Sequence, residues 1–201
     1  MNLTYRVAQC ISYGYFKLFH GFKIQGLENI PNDKPFILAC NHLSFFDPPA
    51  IGCKIPRNLH YFAKDSLFKG PLGILIRRLN SIPVDRKQLD IKTLRNVLKV
   101  LDSGEPILVF PEGTRSENGN LQKAQSGLGF LALKSGVPIV PARILGTDNA
   151  LGKGMIFPRF GQKISFKIGK IILPNAFPSE IRKTKNYEEI GKLVMSRISI
   201  V

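Results

Sequence analysis

The stretch that decides the fold reads Pro35-Phe36-Ile37-Leu38-Ala39-Cys40, followed directly by Asn41-His42-Leu43-Ser44-Phe45-Phe46-Asp47-Pro48-Pro49. Its first half is an apolar run of the length typical of a strand buried in a sheet. Its second half gathers polar side chains directly after that run, where the functional residues of α/β proteins usually lie. The stretch therefore predicts a buried strand that delivers a polar cluster to one edge of a sheet.

Further apolar runs of strand length follow along the chain, and segments of helical periodicity separate several of them. The runs cover residues 59–63, 82–84, 106–110, 138–142 and 164–168. Apolar residues recur at largely helical spacing in Lys87–Asp102 and in Gln125–Ser135, where Gly136 follows as a stop signal. This alternation predicts the α/β class: a single domain with a mixed central sheet covered by helices.

The chain begins with an apolar, aromatic-rich segment of roughly helical pattern, residues 3–20, before the turn residues of Gly26–Asp33. Such a helix lies either against a bilayer or on the domain's own core, and its weakly charged polar face leaves both open. No stretch has the eighteen or so uncharged apolar residues of a spanning helix, and the order of a cleaved signal peptide is missing. We expect residues 1–30 to form an N-terminal helical segment and residues 31–201 the main domain.

Composition and charge narrow the class of protein. The 201 residues are 44% hydrophobic, as in a folded domain, and the three cysteines form no disulfide or zinc pattern, so we expect a reducing, cytosolic setting. The net charge of +15 comes from two basic blocks, residues 54–101 with +8 and residues 150–201 with +7. Such blocks attract nucleic acid or an anionic bilayer, and charge alone does not choose between them. We expect no nucleic acid, because no known nucleic-acid-binding motif is present and the aromatics lie mainly in apolar runs.

His42 and Asp47 form the first candidate site. Five residues of regular helix would set them about 140° apart, so they meet only across a turn or a helix start. There Asp47 would accept one ring N–H of His42 and leave the other nitrogen free to take a proton from a substrate hydroxyl. The alternative is that both residues only cap the following helix. A serine hydrolase is a rival enzyme class, but the sequence contains no GxSxG motif around Ser44 or elsewhere.

A second unusual segment, Phe110-Pro111-Glu112-Gly113-Thr114-Arg115-Ser116, follows another predicted buried strand. It joins a glycine, a carboxylate and a guanidinium, which suits binding of a phosphate or carboxylate by backbone N–H groups and a bidentate arginine. The alternative is a surface turn with an Arg–Glu pair. Both segments are expected to open on the same edge of the sheet.

These segments belong to four blocks in which the chain resembles the glycerolipid acyltransferases, the family typified by 1-acylglycerol-3-phosphate acyltransferase. The first block is Asn41-His42-x-Ser44-x-x-Asp47-Pro48, and the second runs from Lys64-x-x-Leu67-Phe68 through Pro71, Gly73 and Arg78 to Ile82-Pro83-Val84-Asp85-Arg86. Phe110–Ser116 and Val137-Pro138-Ile139-Val140-Pro141 complete the set, in the family's order. The resemblance spans about residues 34–142 and implies a glycerol-3-phosphate acyltransferase-like fold.

The resemblance also implies roles for individual residues. His42 would act as general base and Asp47 as the group that orients it, with Asn41 and Ser44 supporting their loop. Candidates to bind the acceptor's phosphate and glycerol are Lys64, Arg86, Glu112, Gly113, Thr114 and Arg115. Neither a metal nor another cofactor is implied. His20 and His60 are left without a role, and His60 has no Asp or Glu nearby at ligand spacing.

The activity that the resemblance implies is transfer of a fatty acyl group from acyl carrier protein or coenzyme A to the sn-2 hydroxyl of 1-acyl-sn-glycerol-3-phosphate, giving phosphatidic acid. Another lysolipid or glycerol 3-phosphate is the alternative acceptor. Expected partners are the lysophospholipid, the acyl thioester and an anionic membrane surface, with the enzyme peripheral or monotopic at the cytoplasmic face of the cell membrane.

Overall fold

The computed structural model describes residues 3–84 and 91–201. Its strands are β1 (Lys23–Gln25), β2 (Ile37–Cys40), β3 (His60–Lys64), β4 (Ser81–Val84), β5 (Ile107–Val109), β6 (Ile139–Leu145) and β7 (Ser165–Ile168). Its α-helices are α1 (Leu3–His20), α2 (Asp47–Gly52), α3 (Gly70–Arg78), α4 (Ile91–Asp102), α5 (Ser126–Ser135), α6 (Thr147–Leu151), α7 (Ser179–Thr184) and α8 (Tyr187–Ser199).

The seven strands form one sheet in the order β1-β7-β6-β2-β5-β3-β4. Neighbouring strands are parallel except for β6 and β7, which are antiparallel. The predicted mixed central sheet is therefore confirmed. Because β2, β3, β5 and β6 run in one direction, their carboxyl ends lie at a common edge, which we call the site edge.

Helices cover both faces of the sheet, and the alternation of side chains along β2 shows why. Leu38 and Cys40 point into a core cluster with Phe16 of α1 and Ile51 of α2. Ile37 and Ala39 point into a second cluster on the opposite face. The helical residues of that second cluster are Val97, Leu101, Leu128, Leu131, Ala132, Ile190, Val194 and Ile198. A strand buried on both faces reads as the uninterrupted apolar run seen in the sequence.

The elements differ from the sequence expectation mainly in the N-terminal region. Residues 1–30 contain β1, a three-residue strand that pairs in parallel with β7 and so belongs to the sheet. Three residues are too few to show the period-two pattern by which strands are recognised. The helix predicted for Lys87–Asp102 is α4 from Ile91 onward, and its first four predicted residues lie outside the described part of the chain.

The helix α1 is apolar on two sides. Its inner side is fixed to the domain, because the Tyr5 hydroxyl accepts the Leu59 N–H at 3.1 Å and Gln9 Nε2 donates to the Gly52 and Ile55 carbonyls. Its outer side exposes Leu3, Val7, Ile11 and Leu18. Packing on the core and an exposed apolar face thus occur on the same helix. Within residues 3–84 and 91–201, no helix is long and apolar enough to cross a membrane.

Candidate active site

The structure brings His42 and Asp47 together at the site edge. His42 lies in the turn after β2, and Asp47 is the first residue of α2. The distance from His42 Nδ1 to Asp47 Oδ2 is 2.8 Å, and the Asp47 side chain is fully buried. A turn followed by a helix start is the backbone geometry that contact between these two positions requires.

Asp47 accepts hydrogen bonds on both carboxylate oxygens. Oδ2 also accepts the N–H groups of Leu43 at 2.6 Å and Ser44 at 2.8 Å, and Oδ1 accepts the Thr147 hydroxyl at 2.6 Å. An ionised carboxylate is an acceptor only, so this set of donors suits it. The aspartate therefore closes the turn that carries His42 and is held in one orientation from both sides.

Thr147 is a residue of the site that the sequence did not predict. It is fully buried at the start of α6, one hundred residues after the aspartate that it contacts. Nothing in the residues around it marks it as functional. The contact exists because β6 lies beside β2 in the sheet, so that the turns leaving both strands meet at the site edge.

The imidazole of His42 is positioned by two contacts. The bond from Nδ1 to the carboxylate assigns the ring proton to Nδ1, which leaves Nε2 as an acceptor. The ring also stacks on Phe110, with centroids 3.9 Å apart and an angle of 11° between the planes. The side chain is largely buried, and it lines a cavity. A neutral histidine held in this way can accept a proton from a group bound in that cavity.

Glu112 links the turn of His42 to the loop that follows β5. Its buried carboxylate accepts the His42 N–H at 3.1 Å and the Gln122 N–H at 3.3 Å. Burial raises the pKa of the Glu112 carboxyl, and these two N–H donors act against that rise. The Ser116 N–H donates to the His42 carbonyl oxygen at 2.8 Å and adds a second link.

Gly113 lies at the tip of this loop and has φ of 72°, in the left-handed region that favours glycine. Its N–H donates to the Phe110 carbonyl oxygen at 3.0 Å, so this amide closes the turn. Gly113 and Thr114 are exposed, and both line the same cavity as His42.

Asn41 connects the same turn to β6, and Ser44 connects it to the end of α6. The Asn41 side chain donates to the Ile144 carbonyl oxygen at 2.9 Å and accepts the Ile144 N–H at 2.8 Å. The Ser44 hydroxyl donates to the Leu151 carbonyl oxygen and accepts the Phe46 N–H at 3.0 Å. Both side chains are thus engaged with backbone groups around His42.

The cavity beside His42 has a volume of about 420 Å³. Residues 112–114 form part of its wall, and the inner part lies between the sheet and helices α4 and α5. That inner wall is mainly apolar and consists of Phe62, Val84, Leu94, Val97, Val109, Leu128 and Leu131. The site therefore combines a proton acceptor at the mouth with an apolar chamber behind it.

Of the three predicted cations, two are described. The Arg115 guanidinium lies over the Phe45 ring, with its central carbon 3.8 Å from the centroid, which places it next to the turn of His42. Lys64 is the exposed last residue of β3 and so lies at the site edge. Arg86 falls in residues 85–90, outside the described part of the chain.

The remaining histidines lie apart from this pair. His60 begins β3 at the opposite edge of the sheet, and burial lowers the pKa of its ring. His20 ends α1 and lies 3.2 Å, at Nδ1, from the Gln162 carbonyl oxygen. Among the residues that the structure describes, no group of three or more His, Cys, Asp or Glu side chains is arranged to hold a metal ion.

Comparison with known proteins gives one consistent result. A family model described as acyltransferase matches residues 21–145. The 1-acyl-sn-glycerol-3-phosphate acyltransferase of Bacillus subtilis (strain 168) is 33% identical over 132 residues, 64% of this chain and 65% of that protein. The chloroplastic 1-acyl-sn-glycerol-3-phosphate acyltransferase BAT2 of Brassica napus is 31% identical over 140 residues, 68% of this chain and 40% of that protein. The chain thus spans less than two thirds of the length of these curated relatives.

A solved structure extends the similarity to nearly the whole chain. The crystal structure of the 1-acyl-sn-glycerophosphate (LPA) acyltransferase PlsC from Thermotoga maritima superimposes with a TM-score of 0.78 and 31% sequence identity. The match covers 95% of this chain and 78% of that chain. Since the family model also spans more than half of its residues, this chain belongs to the acyltransferase family.

Proposed function

We propose that this protein transfers a fatty acyl group from an acyl thioester to the sn-2 hydroxyl of 1-acyl-sn-glycerol-3-phosphate and so produces phosphatidic acid. The observation that carries the proposal is the contact between His42 and the buried Asp47 at the mouth of a cavity with an apolar interior. The names of the relatives support the choice of acceptor. The thioester is carried by acyl carrier protein or by coenzyme A.

The reaction needs only one proton acceptor and a thioester that is already activated. His42 Nε2 takes the proton of the acceptor hydroxyl while the hydroxyl oxygen bonds to the thioester carbonyl carbon. Collapse of that adduct breaks the C–S bond, and His42 returns the proton to the departing thiolate. Positioned proton transfer contributes on the order of 10²–10⁴ in rate. The step is a direct displacement, so a burst of acyl-enzyme or ping-pong kinetics would contradict it.

The apolar chamber suits the acyl chain that is being transferred. That chain is attached to the carbonyl that must lie beside His42, and the chamber extends inward from His42 between the sheet and two helices. Burial of each CH₂ group stabilises the complex by roughly 0.8 kcal/mol. The walls of the chamber therefore select the chain by its length.

We expect Leu131→Ala to shift the preference of the enzyme toward longer acyl chains, because it enlarges the chamber at a buried wall position. The same change should lower the free energy of unfolding by about 2–5 kcal/mol. Competition between donors of different chain length measures the preference. Leu101→Ala is the matched control, since Leu101 is buried in the same core cluster without lining the chamber. An unchanged preference in Leu131→Ala would place the transferred chain elsewhere.

Arg115 is assigned to the acceptor's phosphate. Its guanidinium lies beside the turn that carries His42, and a bidentate arginine matches phosphate oxygens. We expect Arg115→Ala to raise KM for the acceptor by about 10- to 100-fold, the value of a charge-assisted hydrogen bond of about 1.5–3 kcal/mol, with kcat nearly unchanged. Arg182→Ala, at a different surface cavity, is the control. A loss confined to kcat would reject this role.

The enzyme is proposed to work peripherally at the cytoplasmic face of the membrane, where its acceptor resides. The exposed apolar side of α1 and the two basic blocks support this placement.

Each Lys or Arg near an anionic surface contributes roughly 1 kcal/mol to membrane binding, and salt screens the attraction. Cosedimentation with vesicles should therefore require anionic lipid and weaken as the salt concentration rises. Binding to neutral vesicles that is insensitive to salt would mean that α1 inserts without help from charge.

One assay tests the proposal as a whole. Acyl carrier protein and coenzyme A thioesters are each supplied with lysophosphatidic acid and with glycerol 3-phosphate, and the lipid product is identified. We expect phosphatidic acid from lysophosphatidic acid with at least one donor. Transfer to glycerol 3-phosphate alone would replace the acceptor, and no transfer in any combination would reject the activity.

A further inference from the structure

The loop of residues 152–162, between α6 and β7, exposes more apolar surface than a folded domain ordinarily leaves in water. Ile156 is 85% exposed, Phe157 80% and Phe160 59%. Single exposed apolar residues are common, but three large ones at one loop tip mark a contact surface. These side chains have no role in the site described above, and they lie within the C-terminal basic block, which matches none of the four sequence blocks.

The ends of this loop are held to the rest of the protein. The Arg159 N–H donates to the Ala150 carbonyl oxygen at 2.8 Å, and the Gly161 N–H donates to the Phe19 carbonyl oxygen at 2.9 Å. The Phe160 ring packs on Phe19 of α1, with centroids 5.1 Å apart. With both ends held in this way, the apolar side chains of the tip are left exposed to a partner.

The loop also lies at the site edge. It follows α6, where Thr147 contacts Asp47 and the Leu151 carbonyl accepts the Ser44 hydroxyl. The strand after it is antiparallel to β6, with Ser165 opposite Leu145, so the chain leaves and re-enters the sheet at the same edge. A partner that covers the tip is therefore close to the mouth of the catalytic cavity.

The charge around the tip identifies the partner. Residues 149–179 contain no Asp or Glu, and Arg159 and Lys163 lie within or next to the loop. Lys153 also lies in the loop, where it forms an ion pair with Glu117. Aromatic and aliphatic side chains surrounded by cations are the chemistry of an element that enters the headgroup region of an anionic bilayer. An interface with a second copy of this chain would bring these cations against one another.

We propose that the 152–162 loop inserts Ile156, Phe157 and Phe160 into the anionic bilayer and so sets the mouth of the cavity against the lipid surface. This inference rests on the proposed function, which supplies a membrane-resident acceptor, and adds a second point of contact to α1. The exposed side of α1 and the loop then contact the membrane on either side of the Phe19–Phe160 pair. Together they fix the orientation of the protein on the membrane, whereas one helix alone would let the protein rotate about the helix axis.

The test uses tryptophan, because the chain contains none and each substitution then reports from one position. Full-length Phe157→Trp is mixed with phosphatidylcholine vesicles that contain phosphatidylglycerol, with and without lipids brominated on the acyl chain. We expect a blue shift of the emission and strong quenching by the brominated lipid. Leu173→Trp is the matched control: it replaces an apolar residue that is 50% exposed and follows Ile172, which bridges to the start of β6 at the opposite edge. Its emission should not change.

Binding measurements with substituted side chains complete the test. Phe157→Ser should lower the vesicle partition coefficient about tenfold, and Leu173→Ser should leave it unchanged. Arg159→Gln should lower partitioning onto anionic vesicles about fivefold.

Two results would overturn the inference. The first is that the Phe157→Trp protein binds vesicles without quenching of its tryptophan, while Ile11→Trp on α1 is quenched. The second is a blue shift of Phe157→Trp without vesicles that accompanies dimer formation in sedimentation velocity.

No acyl transfer enters these measurements, so they are independent of the activity assay. An active Phe157→Trp enzyme whose tryptophan stays in water on the vesicle rejects the loop's role alone. Quenching of that tryptophan in a protein that transfers no acyl group rejects the proposed function alone.

Discussion

His42→Ala is expected to lower kcat by about 10²–10⁴-fold, the contribution of positioned general-base catalysis, while KM for the acceptor stays nearly unchanged. The acceptor hydroxyl is a poor nucleophile near neutral pH, and His42, which lines the cavity, is proposed to take its proton. The phosphate of the acceptor is assigned to Arg115, which this substitution leaves in place. Initial rates at varied acceptor concentration separate the two parameters.

The control for this prediction is His60→Ala, which removes an imidazole from the opposite edge of the sheet and should retain activity. The ring of His42 packs on Phe110, so its loss leaves a gap, and urea unfolding of both variants checks that the fold is intact. Full activity in a folded His42→Ala protein would remove histidine from the mechanism.

Asp47→Asn is expected to lower kcat by about 10²- to 10⁴-fold, at most as much as His42→Ala, and the geometry shows why this substitution removes the charge alone. One oxygen of Asp47 accepts three N–H groups, and the other accepts the Thr147 hydroxyl. Asparagine fits only with its carbonyl oxygen toward the three N–H groups and its amide toward Thr147, whose hydroxyl oxygen can also accept. The bond to His42 Nδ1 therefore persists, and the substitution removes only the negative charge that is proposed to stabilise the imidazolium during transfer.

The matched control is Asp148→Asn. This substitution removes the carboxylate of the residue that follows Thr147 in α6, which has no contact with His42. Initial rates for both variants are compared with their urea unfolding curves, so that loss of catalysis is distinguished from loss of fold. If Asp47→Asn keeps nearly full activity, orientation of the ring is sufficient, and the aspartate serves only to shape the turn.

Much of the architecture could be predicted from the sequence, because it depends on short, continuous stretches of the chain. Each of the six predicted strand segments overlaps a strand of the structure, from β2 to β7, since burial on both faces leaves an uninterrupted apolar run. The membership of the acyltransferase family, predicted from four short blocks, is confirmed by the family model and by the superposition. The roles of His42, Asp47 and the predicted cations remain predictions, and the substitutions described above test them.

Other parts of the site could not be predicted, because the residues in contact are distant from each other along the chain. Thr147 meets Asp47 across one hundred residues, and Asn41 pairs with the backbone of Ile144 across 103. The stacking of Phe110 on His42 depends on the adjacency of β2 and β5. In each case the sequence around the second residue is ordinary, and only the order of strands in the sheet makes the contact.

The sequence by itself determined the class of fold, the family and the short turn in which His42 and Asp47 stand five residues apart, because these follow from local patterns of burial and chemistry. Tertiary structure decided which contacts hold that turn and which apolar side of α1 remains exposed to water. It also decided that the loop of residues 152–162 presents three large apolar side chains at the site edge. Those outcomes depend on which strands become neighbours. That choice is set by packing over the whole domain, and no single stretch of the chain contains it.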